Sequence, residues 1–161
     1  MKVDDGTEGF TIVELLVAVS VIGILAITLR NPMKDYLRRM EYNNTVDHIK
    51  RLIQTCQTKA MANPNLHIGL WFDFKKGRAV PFQDRTNPSF YQYDGAGDPA
   101  YLQPVQLKRD VRFLPVKGYS DAIVFRGDGS AYRSLKVVLT DGVLKDTLDV
   151  LASTGRVRVM R

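Results

Sequence analysis

The chain has 161 residues, 45 % of them hydrophobic, with a formal net charge of +6 and a single cysteine. That length accommodates one membrane-crossing helix and one domain of roughly 100 residues around a single core. A lone cysteine excludes an intramolecular disulfide, and the basic balance favours acidic partners, whether nucleic acid, anionic lipid or acidic protein.

Residues 1–9 are hydrophilic and carry Lys2 against Asp4, Asp5 and Glu8, so their side chains sum to −2. Residues 10–29 then run almost without polar interruption; Glu14 is the one strongly polar side chain among them. Twenty residues at ~1.5 Å rise make ~30 Å, the hydrocarbon thickness of a bilayer. A carboxylate in such a span costs roughly 2.5–3.5 kcal/mol near its centre and less near an end, so Glu14 calls for a partner. Cleavage between Gly9 and Phe10 would supply one, because the new α-ammonium lies one helical turn from Glu14, on the same chain or a neighbour. A secretory signal peptide fits worse: its apolar region is about 7–15 residues long and ends at a small-residue cleavage site, whereas Arg30-Asn31-Pro32 follows here. A lipoprotein signal is excluded because Cys56 lies far downstream. Without residues 1–9 the chain holds 22 basic and 14 acidic side chains, a net of +8 (22 − 14).

Pro32 cannot donate to the carbonyl of Thr28 and its ring crowds that turn, so a kink or local melt is expected, with Gly23 weakening the same stretch. From residue 33 to about 62 the pattern is helical and amphipathic. Val46, Ile49, Ile53, Cys56 and Ala60 form one apolar stripe, which Tyr36, Leu37 and Met40 continue after a phase change near Asn43-Asn44. On that stripe Cys56 reads as a buried thiol. Asn63-Pro64-Asn65 stops the helix.

Beyond residue 65 short alternating segments separated by turns replace the helical pattern. Residues 67–74 read as a strand, Lys75-Lys76-Gly77 as a turn and 78–82 as the returning strand. Residues 83–104 read as a loop rich in Asp, Pro, Gly and Tyr. Strands are expected at 111–114, 122–125, 131–140, 147–151 and 156–160, with turns at Gly127-Asp128-Gly129, Asp141-Gly142 and Ser153-Thr154-Gly155. This spacing predicts a meandering antiparallel sheet or small sandwich.

Catalysis finds no support in the sequence. His48 and His67 have no partner at ligand spacing and read as surface histidines; no nucleophile elbow or phosphate-binding glycine loop occurs. Asp94 and Asp98 flank a glycine-rich turn, but two carboxylates are too few for the 6–8 oxygens of a Ca²⁺ shell. Arg126-Gly127-Asp128 spells an integrin tripeptide, and turn chemistry accounts for it. No metal or cofactor is expected. At the C-terminus, strand alternation puts Arg156 and Arg158 on one face and Val157 and Val159 on the other, and with Arg161 these form a basic stripe. Solvated arginines on an edge strand also discourage edge-to-edge pairing.

The Gly9-Phe10 junction, Glu14 and the apolar span resemble the type IV prepilin signature. The tail, with its Gly127-Asp128-Gly129 and Thr140-Asp141-Gly142 turns, resembles the end of minor pilins of the GspH/FimT type. The resemblance implies an α+β fold with a long N-terminal transmembrane helix packed on an antiparallel β-domain. It divides the chain into a cleaved leader (1–9), a membrane or filament-core half-helix (10–31), an amphipathic half-helix (32–62) and a β-domain (63–161). It implies cleavage at Gly9 by a prepilin peptidase, N-methylation of Phe10, and a role for Glu14 in filament assembly. The partners implied are other minor and major pilins or pseudopilins, an inner-membrane assembly platform, and secreted cargo or DNA. The leader would face the cytoplasm and the C-terminal domain the periplasm or an extracellular filament. Here the charges disagree, because Arg30, Lys34, Arg38 and Arg39 follow the span and the positive-inside rule alone orients it the other way. The favoured expectation is a minor pseudopilin of a type II secretion system. The alternative is a type IV minor pilin that captures DNA through Arg156, Arg158 and Arg161, since Gly155-Arg156-Val157-Arg158 matches the Gly-Arg-x-Arg tail of DNA-binding FimT-type members.

Overall fold

The structure, a computed structural model, describes residues 11–85, 93, 95, 97–108 and 110–161, the side chains at 27 and 29–31 excepted. One helix, α1 (Ile12–Ala62), precedes eight strands among these residues: β1 (His67–Asp73), β2 (Arg78–Asp84), β3 (Val105–Gln106), β4 (Arg112–Pro115), β5 (Ala122–Phe125), β6 (Leu135–Thr140), β7 (Lys145–Val150) and β8 (Val157–Met160). The chain divides into two compact units, Met1–Met40 and Glu41–Arg161.

In the first unit the helix continues through Gly23 and Pro32 without a break. The expected local melt is therefore absent: Pro32 removes one bond of the ladder and leaves the bonds on either side to hold the turn. Ser20 and Thr28 return their hydroxyls to the carbonyls of Leu16 and Leu25, at 2.7 and 3.0 Å. Among the described residues no helix is long and apolar enough to cross a membrane. Tyr36, Leu37 and Met40, read from the sequence as part of the stripe, are exposed.

The second unit holds two four-stranded antiparallel sheets, ordered β3-β2-β1-β5 and β4-β6-β7-β8. They are not successive meanders. Between β3 and β6 the chain alternates between sheets, so β5 returns to pair with β1 (Leu70 opposite Ile123) and β4 pairs ahead with β6 (Phe113 opposite Leu139), whereas β6, β7 and β8 follow one another in the second sheet. The sandwich half of the sequence expectation describes this better than the meander half. Strand limits shift by a few residues. The 131–140 segment becomes strand only from Leu135, β7 begins at Lys145, and Gln83 and Asp84 belong to β2 rather than to the following loop.

The helical stripe packs as its periodicity demands. Val46, Ile49, Ile53, Cys56 and Ala60 are buried, and Tyr42 extends the stripe by one turn, its hydroxyl donating to the carbonyl of Leu139 at 2.9 Å. They join Ile68, Leu70 and Phe72 of β1 and Val137, Leu139 and Leu148 of the second sheet in one cluster. Phe72 and Phe113 meet edge to face at 5.1 Å. Burial pushes the Cys56 thiol up to about 12, so it packs as a small apolar group rather than a nucleophile. A smaller cluster covers the opposite face of the first sheet. Phe82, Ala122 and Val124 pack there with Trp71, which stacks on Tyr93 at 4.6 Å. Gly69 makes room for that cluster, since a Cβ at this position would fall 2.7 Å from the Phe82 ring and from the carbonyl of Ile123.

Candidate functional site

At the start of the helix Glu14 is held by Thr11. One carboxylate oxygen accepts both the amide and the hydroxyl of Thr11 at 2.9 Å, and the Thr11 hydroxyl accepts the Glu14 amide at 3.3 Å. This is a capping box, in which Thr11 as N-cap and Glu14 three residues on satisfy amides that the first turn leaves without helical partners. The sequence reading took Glu14 as an isolated carboxylate awaiting an ammonium. The Thr-x-x-Glu spacing that signals a box is legible in the sequence. Gly9 and Phe10 lie outside the described residues.

Past this cap the described apolar side chains are exposed. Ile12 and Ile22 are 79 % and 65 % exposed, and every described side chain from Thr11 to Ala26 is exposed. A helix that is apolar all round is stable only when lipid or protein surrounds it.

At the other end of the chain a local clasp positions the basic tail. Gln57 of α1 donates from Nε2 to the carbonyls of Gly129 (2.7 Å) and Thr154 (3.2 Å), joining the β5–Ala131 turn to the turn that precedes β8. Gly155 adopts φ +62°, and a Cβ there would collide with the carbonyl of Gly129 and the amide of Gln57. Only glycine fits such a backbone at such a distance. β8 leaves this clasp as an edge strand beside β7.

Alternation along β8 follows the expected pattern: Arg156 and Arg158 are exposed, while Val157 and Val159 are half-buried against the core. Two features of the proposed stripe need correction. Arg161 has the parity of Val157 and Val159, so it does not share the face of Arg156 and Arg158. Its charge acts instead on Asp146, which is 5 % exposed and whose carboxyl burial raises above the ordinary carboxylate range, Arg161 opposing that rise. Nor is the stripe without an acid. Register sets Asp149 directly opposite Arg158, and Asp149 lies 4.0 Å from Lys136 Nζ. Sequence reasoning missed both because strand register is not legible in one strand alone.

The remaining candidates resolve locally. Asp98 is buried and accepts the amide of Arg85 at 3.0 Å, while Asp94 lies outside the described residues. Among the described residues no group of three or more metal-ligating side chains forms. Arg126 lies over the Tyr132 ring at 4.4 Å, and Asp128 accepts the amide and hydroxyl of Ser130, so the Arg-Gly-Asp tripeptide is spent on its own turn. His48 is exposed, but His67 is half-buried, its Nδ1 3.4 Å from the Tyr132 hydroxyl.

No family model matches the chain, and no curated protein sequence does. Solved structures do match its fold. A structure of the minor pseudopilin EpsH from the type 2 secretion system of Vibrio cholerae aligns with a TM-score of 0.57 at 9 % identity, over 74 % of this chain and 96 % of that one. A crystal structure of the same minor pseudopilin aligns with a TM-score of 0.55 at 8 % identity, over 74 % and 95 %. The fold described above, a helix ahead of antiparallel sheets, is thus similar to the fold of that minor pseudopilin.

Proposed function

We propose that the chain is a structural subunit of a pilin-like fibre, a minor pseudopilin of a type II secretion system. In this reading it is stored in the inner membrane through residues 10–31, with the β-domain on the periplasmic side. It loses residues 1–9 to a prepilin peptidase and enters the fibre through the same apolar half-helix. The observation that carries the reading is the exposed apolar helix opening on Glu14 ahead of a domain with the fold of EpsH. The assembly platform and neighbouring pseudopilins are the partners it implies. The DNA-capturing alternative has less behind it, because Arg161 lacks the strand parity of Arg156 and Arg158, and Arg158 stands opposite Asp149 in register.

The capping box gives this mechanism a definite switch. Glu14 has one carboxylate and two employers, its own helix N-terminus and the α-ammonium of a neighbouring subunit. Glutamine at the third helical position keeps a capping box but carries no charge. Glu14→Gln should therefore leave membrane insertion, cleavage and helix capping intact and lower incorporation into fibres at least about tenfold, the scale of one well-placed charge pair. Thr11→Val should fray the first turn yet assemble. Cells carrying the cognate peptidase should yield, by intact mass, a chain beginning at N-methylated Phe10. Recovery of the full-length chain alone, or fibres containing Glu14→Gln at the wild-type level, would overturn the reading.

A further inference from the structure

The second unit carries a groove that neither the fibre reading nor the arginine tail uses. It lies where the β1–β2 turn and the exit of β3 in one sheet meet β4 of the other.

 The groove itself is 470 Å³, room for one or two side chains of a partner.

Its floor is apolar, made of Leu107, Val111 and Phe113, all buried among their own neighbours. Its rim is basic: Lys75, Lys76, Lys108 and Arg112 are exposed around it, and no acidic side chain lines it among the described residues. Among the described residues Lys108 is the one engaged in an ion pair there, with Glu41 at 3.0 Å. The rim is also held in place. The Lys76 amide donates to Asp73 Oδ1 at 3.0 Å, Gln106 Nε2 donates to the carbonyls of Lys76 (2.8 Å) and Gly77 (3.2 Å), and the Leu107 amide donates to Gly77 at 2.9 Å. Cations on an ordered turn lose little freedom on binding, which is where a preformed site gains its affinity.

The geometry points to a docking groove for an acidic segment of a partner protein that anchors one apolar side chain between Lys76 and Arg112. Charge complementarity selects the carboxylates, and the floor selects the anchor. Phosphates of a nucleic acid would use the rim and leave the floor uncovered. The site is separate from the apolar half-helix, so it stands or falls independently of the fibre reading.

The test uses the full chain in phosphatidylcholine nanodiscs, with empty nanodiscs as control. The probe is a fluorescent octapeptide of six Asp or Glu residues around a central Leu-Phe pair. It should bind saturably and weaken with salt. The exposed triple substitution Lys75→Ser, Lys76→Ser, Arg112→Gln should weaken it about tenfold, what three surface-strength charge pairs supply together. Arg156→Gln with Arg158→Gln should leave it unchanged, and unaltered Trp71 fluorescence would show that each variant is folded. Equal binding of a Ser-Ser version of the peptide, tighter binding of a 20-base-pair duplex to the same residues, or no loss in the triple variant would overturn the proposal.

Discussion

Ile22 and Ile53 are the same residue in the same helix, one 65 % exposed and the other fully buried. Around Ile53 the apolar positions form a single stripe, with Asp47, Lys50 and Arg51 on other faces, and two sheets cover that stripe. Around Ile22 apolar residues occupy every face, and the described ones are exposed. The lesson is that amphipathicity, not hydrophobicity, tells a chain where to find its own core. A one-sided stripe is satisfied within the domain, whereas an all-round apolar helix passes its burial on to lipid or to other subunits.

The largest test of this contrast is a pair of truncations. Ile53→Ala should cost about 2–5 kcal/mol of domain stability through lost contacts and a cavity. Ile22→Ala should leave the domain within about 0.5 kcal/mol. Thermal unfolding followed by Trp71 fluorescence reads both, since Trp71 is the one tryptophan and sits in the domain. Equal losses would break the comparison. A smaller effect is expected at the clasp. Gly155→Ala strains a backbone at φ +62° and presses on Gly129 and Gln57, so it should cost about 1–3 kcal/mol and loosen β8 in hydrogen exchange. Exchange limited to the tail with an unchanged melting temperature would show that the clasp is local.

The smallest effect has the opposite sign. Burial raises the Asp146 carboxyl above its ordinary range, so the folded state holds its proton more tightly than the unfolded state. The stability this contributes is complete below the unfolded pKa and is lost as pH rises through the folded one. Asp146→Asn should therefore raise the melting temperature at pH 7, by no more than about 3 °C, and the gain should vanish near pH 3. The same substitution removes a charge that, after burial itself, helps to push the Tyr42 hydroxyl up to about 12. A gain that persists at pH 3 would assign the effect to packing instead.

Local pattern carried much of this protein. The buried stripe from Val46 to Ala60, the end of α1 at Ala62 and the limits of β5 follow from side-chain period and from turn residues, which act over a few positions of the chain. The Gly9-Phe10-Glu14 motif is likewise a feature of sequence, lying at the edge of or beyond the described residues. Long-range pairing was another matter. That β5 returns to β1, that Asp149 stands opposite Arg158, and that the charge of Arg161 acts on Asp146 depend on pairing between strands, whose register is set by the shared core. The basic groove has the same origin: Lys75 and Lys76 belong to one sheet and Arg112 to the other, and only the folded domain brings them around one apolar floor.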